Sequence, residues 1–169
     1  MVFDYVGEFG PVILMIFTIF LLIHKKVFLT YYFTGLIINT VLNIILKLLI
    51  RDPRPSDDTV QRLNIDQYGM PSGHSQSVGF STSYIYLTLH NPNIFILYVI
   101  VSMLTMYQRY TSHCHTISQI ILGYIVGIGI GCWFMYMASI RIQGHLQSKE
   151  DDNAYVLYYT FSHLKRPFY

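Results

Sequence analysis

Charge is what this sequence has least of. Asp, Glu, Lys and Arg make up 12% of its 169 residues, about half the share that a soluble domain carries. That deficit excludes an ordinary water-facing globular surface. With 53% hydrophobic residues, the chain suits a molecule that meets lipid on most of its outside. A net charge of +2, without any basic run interleaved with aromatics, leaves no footprint for nucleic acid. Cysteine is nearly missing too. Cys114 and Cys132 form no disulfide framework and read as small apolar side chains. The first ten residues hold Asp4 and Glu8 but no basic residue, so the positive start of a cleavable signal peptide is lacking. The first membrane helix is then expected to direct insertion. There is no internal repeat and no low-complexity linker.

What is present is a series of apolar runs. A spanning helix needs roughly 20 mostly apolar residues. Five stretches meet or approach this: Phe9 to Ile23, Val27 to Ile50, His74 to Leu89, Ile94 to Tyr107, and Thr116 to Ile140. The first is the shortest. The third is weakly hydrophobic, with Ser75, Ser77, Ser81, Thr82 and Ser83, and small polar residues of this kind let membrane helices approach closely. It is expected inside the bundle. In the fifth, Gly123, Gly127 and Gly131 recur every four residues, a pattern equally compatible with a close-packing stripe and with chance. The expected fold is all-α: an integral-membrane bundle of about five spans over residues 1–145, followed by a short cytosolic tail over 146–169.

Charge also sets the orientation, since cytoplasmic loops are rich in Lys and Arg. Lys25, Lys26, Arg141 and Lys149 fall on one side of a five-span chain, and Asp4 and Glu8 on the other. The amino terminus is therefore expected outside the cytosol. The same count puts Lys47, Arg51, Arg54, Arg62 and Arg109 on the non-cytoplasmic side, against the rule. Basic residues kept there suggest an anionic ligand.

Three segments meet that face at helix ends: Lys47 to Pro55, Tyr68 to Gln76, and Gln108 to Gln119. Lys47, Arg54 and Arg109 supply positive charge, and an arginine fork fits phosphate oxygens. Ser72, Gly73 and His74 open a helix, whose free N–H groups and dipole favour an anion. His74 and His115 add imidazoles, which can act as nucleophile or as general acid near neutral pH. Such a set can carry out phosphoryl transfer without a cofactor. His113 and Cys114 next to His115 lack a carboxylate partner, so no metal is expected. Arg51 and Arg62 are assigned to pairing with Asp52, Asp57 or Asp58.

In order and spacing, these segments resemble the three signature motifs of the type 2 phosphatidic acid phosphatase superfamily. Lys47 through Arg54 and Pro55 fit the first, which is Lys, six residues, then Arg-Pro. Pro71, Ser72, Gly73 and His74 fit the second. Arg109 and His115 fit the third in register, but Gln108 stands where that family has Ser and Gln119 where it has Asp. The resemblance covers roughly Lys47 to Gly131. Within the superfamily, Tyr-Gly-Met-Pro-Ser-Gly-His-Ser-Gln at 68–76 and His-Thr-Ile-Ser-Gln at 115–119 resemble dolichyl diphosphate phosphatases, a branch in which Gln at the last position is expected. Glucose-6-phosphatases also look similar here but are longer, with more spans.

The resemblance implies a role for each residue. His115 would attack phosphorus and form a phosphohistidine. His74 would protonate the leaving oxygen and later activate water. Lys47, Arg54, Ser72, Gly73 and Arg109 would hold phosphate oxygens. Gln119, one turn after His115, would bond the far ring nitrogen. The implied activity is metal-independent hydrolysis of a polyprenyl (dolichyl) diphosphate to the monophosphate, with a lumenal site in the endoplasmic reticulum membrane if the source is eukaryotic. Phosphatidate or undecaprenyl diphosphate is the alternative substrate, and a silent lipid-phosphate binder the rival from another class. The sequence does not define the oligomeric state.

Overall fold

The computed structural model describes residues 2–55 and 67–146. Among these the chain is helical, in the order α1 (Val2–Leu22), α2 (Lys26–Ile50), α3 (Gly73–Leu89), α4 (Pro92–Thr111) and α5 (Ile117–Leu146). Four of them, α1, α2, α4 and α5, are long and apolar enough to cross a membrane. The bundle is that of a multi-pass membrane protein. The tail expected after α5 lies outside the described residues, as do Asp57, Asp58, Arg62 and Asp66.

Helix α2 illustrates why the outer helices sit where they do. Its buried residues are Phe28, Tyr32, Gly35, Asn39, Asn43 and Lys47, one stripe recurring every three or four positions. That spacing is one face of a helix. The opposite face is bare hydrocarbon, with Ile37 64% and Leu49 73% exposed, as a lipid-facing surface requires. Along the stripe the chemistry changes: aromatic at the start, amide and ammonium at the end.

Helix α3 is the exception. At 17 residues it is the shortest, and eleven of those residues are buried. The other helices enclose it, so its polar side chains meet protein rather than lipid. Tyr32 of α2 stacks on Phe80 at 5.4 Å and lies 5.4 Å from Tyr84, whose hydroxyl donates to the Phe28 carbonyl at 2.7 Å. Tyr32 and Ser81 share a hydroxyl bond of 2.8 Å, and Thr82 and Ser102 of α4 one of 2.9 Å. Thr18 and Tyr98 join α1 to α4 at 2.8 Å. Each such interhelical bond is worth about 0.6–2 kcal/mol in a membrane. These ties hold the half of the bundle away from the three motif segments.

Against α5, α3 packs backbone to backbone. A Cβ at Gly123 would lie 2.5 Å from the Ser72 carbonyl oxygen, and side chains at Gly127 and Gly131 would run into the backbones of Gln76 and Phe80. The every-fourth-residue glycines are therefore a packing stripe, which settles the two readings the sequence left open.

Helix boundaries differ from the apolar runs. Helix α1 begins seven residues before Phe9, and Asp4 and Glu8 had hidden that start from hydropathy. Helix α4 begins at Pro92, capped by the Asn91 side chain, which accepts from the Asn93 and Ile94 N–H groups. It runs on to Thr111 because Gln108 and Arg109 are buried inside the bundle rather than facing water.

Candidate active site

The end of α2, the start of α3, and the junction of α4 with α5 meet at one end of the bundle. Lys47, the last member of the α2 stripe, is 7% exposed there. Arg51 then takes a left-handed conformation (φ 53°) and its N–H bonds the Lys47 carbonyl, which turns the chain out of the helix. The stretch that follows pairs with the stretch before α3. The Gly69 N–H donates to the Asp52 carbonyl at 2.7 Å, the Arg54 N–H to Gln67 at 3.4 Å, and Pro53 bridges Tyr68.

The start of α3 is fastened twice. The Ser72 N–H donates to the Gln119 carbonyl at 3.0 Å, and Asn43 Nδ2 donates to the Pro71 carbonyl at 3.2 Å. Asn43 also bonds Gln76 Oε1 at 2.8 Å, and Gln76 Nε2 reaches the carbonyl and side-chain oxygens of Asn39 at 2.9 and 3.0 Å. A polar group at membrane depth must be satisfied internally, and this amide chain does so while fixing α2 to α3. The sequence signal was there: Asn39, Asn43 and Lys47 recur every four residues in an otherwise apolar helix.

The third segment closes the site. The N–H groups of Cys114 and His115 both donate to the Arg109 carbonyl, at 3.2 and 3.3 Å, folding the chain back over the end of α4. Gln108, which departs from the family pattern, accepts from Arg109 Nε at 2.6 Å and donates to Ser112 Oγ at 3.0 Å. It orients the guanidinium, a contact the sequence did not disclose.

His115 is 3% exposed. Its Nδ1 lies 3.1 Å from Gln119 Oε1 and its Nε2 3.4 Å from Arg54. His74 is half-buried, bonds the backbone of Glu8 in α1, and feels the charges of Arg109, Arg54 and Lys47. The structure thus gathers His115, His74, Gln119, Lys47, Arg54, Ser72, Gly73 and Arg109. Burial, reinforced by the Arg54 and Lys47 charges and opposed by the Gln119 bond, pushes His115 down to about 3. Its ring is neutral at physiological pH.

Three residues lie outside this set. Arg51 is exposed and bonds the Leu48 carbonyl at 2.9 Å, while Asp57 and Asp58, two of its expected partners, lie outside the described residues. Asp52, expected to pair with a loop arginine, instead accepts from Gln119 Nε2 at 2.6 Å. His113 is exposed in a left-handed turn.

Fold and site define the class: a multi-pass helical membrane protein with two histidines and three basic residues near where helix ends meet. Residues 28–143, well over half of the chain, match the family model of the PAP2 superfamily, and the chain belongs to that superfamily. It is similar to the palmitoyl-protein thioesterase-dolichyl pyrophosphate phosphatase fusion 1 of Schizosaccharomyces pombe, 28% identical over 119 residues that cover 62% of this chain and 18% of the relative. It is 29% identical to the dolichyldiphosphatase of Saccharomyces cerevisiae over 123 residues (63% of this chain, 50% of the relative). Against dolichyldiphosphatase 1 of Homo sapiens the figure is 29% over 149 residues (78% and 62%). The chain spans less than two thirds of the length of these relatives. No solved structure matches it.

Proposed function

We propose that this protein is a lipid phosphatase that hydrolyses a polyprenyl diphosphate, of the dolichyl type, to the monophosphate through a phosphohistidine. One observation carries the reading: a buried His115 whose Nε2 lies 3.4 Å from Arg54, with the charges of Arg54 and Lys47 acting on both its ring and that of His74. Neutral imidazole is the nucleophilic form. His115 Nε2 attacks the terminal phosphorus, the bridging P–O bond breaks, and His74 gives a proton to the departing lipid monophosphate. Water then attacks the phosphohistidine with His74 taking its proton, and inorganic phosphate leaves. Arg54, Arg109 and Lys47, with the Ser72 hydroxyl and the N–H groups of Gly73 and His74 at the helix start, hold the phosphoryl oxygens, where negative charge is concentrated.

Two further features support a lipid as the carrier of the phosphate. The cleft beside His74, lined by Asn43, Gly73 and Ser77, continues past Pro11, Val12 and Thr40 into an apolar groove formed by Met15, Leu36 and Ile37 between α1 and α2. The relatives above bear the dolichyl diphosphate name. Residues 1–145 form the phosphatase unit in this reading, and 146–169 its cytosolic tail. The site faces away from the cytosol, in the endoplasmic reticulum lumen of a eukaryote, with Lys25 and Lys26 on the cytosolic side.

Phosphate release by purified protein in detergent, with EDTA present, tests this. Dolichyl diphosphate is the expected preferred substrate over phosphatidate and glucose 6-phosphate. Preference for phosphatidate would make the protein a broader lipid phosphate phosphatase. Activity recovered only on adding a divalent metal would overturn the mechanism.

A further inference from the structure

The superfamily pattern places an acid beside the nucleophilic histidine, and here that position is the neutral Gln119. The structure supplies a carboxylate one residue further out. Gln119 is fully buried. Its Nε2 donates to Asp52 Oδ2 at 2.6 Å and to the Pro53 carbonyl at 2.9 Å; its Oε1 lies 3.1 Å from His115 Nδ1 and accepts from the Thr116 N–H at 3.2 Å. We infer that Asp52 is a positioning residue for His115, acting through the Gln119 amide as a carboxylate–amide–imidazole line. The inference rests on the phosphohistidine reading for its consequence in catalysis, and on geometry alone for the line itself.

The donor and acceptor inventory fixes the line. A carboxylate and a proline carbonyl only accept, so the amide must turn its NH2 toward Asp52 and Pro53. A backbone N–H only donates, so the amide oxygen must face Thr116. That oxygen can meet His115 Nδ1 only if Nδ1 carries the hydrogen. The ring is then the Nδ1–H tautomer, and its Nε2 lone pair, which accepts from Arg54 at 3.4 Å here, is the one that meets phosphorus when Arg54 turns to the phosphoryl oxygens. When Nε2 becomes phosphorylated the ring turns cationic. The amide oxygen facing it is polarised by the charge-assisted bond from the other end. The Asp52 backbone carbonyl, bonded by the Gly69 N–H at 2.7 Å, keeps the carboxylate in place. The three motif segments therefore converge on Gln119, whose side chain bonds Asp52 and Pro53 and whose backbone carbonyl accepts from the Ser72 N–H.

Two variants and one spectrum test it. Asp52→Asn retains a hydrogen-bond acceptor but removes the charge. It is expected to lower kcat on dolichyl diphosphate by about 10- to 100-fold, the usual effect of a partner standing behind a working histidine, with KM little changed. Adding Gln119→Asp to Asp52→Asn moves the carboxylate into direct reach of the ring and is expected to restore at least a third of the lost activity. Gln119→Asp alone sets two carboxylates against each other and is expected to be worse than the double variant. Asp52→Asn within twofold of wild type, or a folded double variant no better than Asp52→Asn, would refute the line. The spectrum needs no turnover. In 15N-histidine-labelled protein in detergent, with His115→Asn used for assignment, Nδ1 of His115 is expected to be the protonated nitrogen, and that signature is expected to blur into a tautomer mixture in Asp52→Leu. An Nε2–H ring in the wild type refutes the line even if the protein hydrolyses nothing. A Nδ1–H ring in an inactive wild type keeps the line and refutes the phosphatase reading instead.

Discussion

Replacing Gly123 with alanine adds one methyl group at the seam between α5 and the start of α3. Its Cβ would lie 2.5 Å from the Ser72 carbonyl oxygen and 3.1 Å from the Ser72 nitrogen. Carbon contacts are comfortable from about 3.5 Å, so the shortfall is about 1 Å. Backbone, not a flexible side chain, stands in the way, and Ser72 is held by its N–H bond to the Gln119 carbonyl. The start of α3 must move by most of that distance or α5 must tilt. Overpacking of this kind costs about 1–3 kcal/mol, and a misplacement of about 1 Å near reacting groups costs about 100-fold in rate. Gly129, on the same helix, has nothing within 4 Å of the corresponding Cβ. Gly129→Ala is expected to keep full activity, since alanine is the better helix former. Phosphate release from dolichyl diphosphate and thermal unfolding in detergent, measured on both variants side by side, decide the matter. Gly123→Ala with more than half of wild-type activity, or Gly129→Ala as damaging as Gly123→Ala, would refute the seam as the element that sets the pocket.

Acidification is expected to destabilise the fold through His115: between its ordinary 6.5 and its folded value of about 3, the unfolded chain binds a proton that the folded one refuses. The melting temperature should thus fall more steeply from pH 6.5 to 4 in wild type than in His115→Asn; equal slopes would show that the ring is not held neutral by its surroundings. Gln108→Ala frees the Arg109 guanidinium from its 2.6 Å bond and is expected to raise KM for a lipid diphosphate by about tenfold, the effect of losing about one oriented charged bond; an unchanged KM would dissociate Gln108 from phosphate binding. After replacement of Cys114 and Cys132, Lys25→Cys and Arg54→Cys are expected to react with an impermeant thiol reagent from opposite sides of sealed vesicles, and labelling of both from one side would break the proposed orientation.

Much of this molecule could be read from its residues, for physical reasons that also mark where reading stops. Motif spacing encodes which residues lie at helix ends, and helix ends on one face of a bundle converge. Apolar runs encode lipid contact, so α2 and α5 were plain. Helix α3 was weak by the same measure because protein, not lipid, surrounds it. Glycines every four residues could not declare their own purpose until Ser72, Gln76 and Phe80 were seen against them. Asp52 was harder still. A carboxylate next to arginines in sequence invites an ion pair, and only the fold brings it to Gln119, 67 positions away. Gln108 looked like a lost serine because pattern comparison scores identity, whereas the guanidinium needs only an acceptor.

The enclosure of α3 bears on how this protein is made. A segment of 17 residues with so many hydroxyls gains little by entering hydrocarbon alone, for insertion free energy follows apolar content. Most of its packing is against α5, which is synthesised last among the described helices. The main packing partner of α3, the glycine face of α5, is therefore absent until the last described helix is made. A nascent chain halted after α4 holds His74 but lacks His115, Gln119 and the seam that seats Ser72. The set of residues at the helix ends is complete only with the final helix, and a chain that stops before it holds only part of that set.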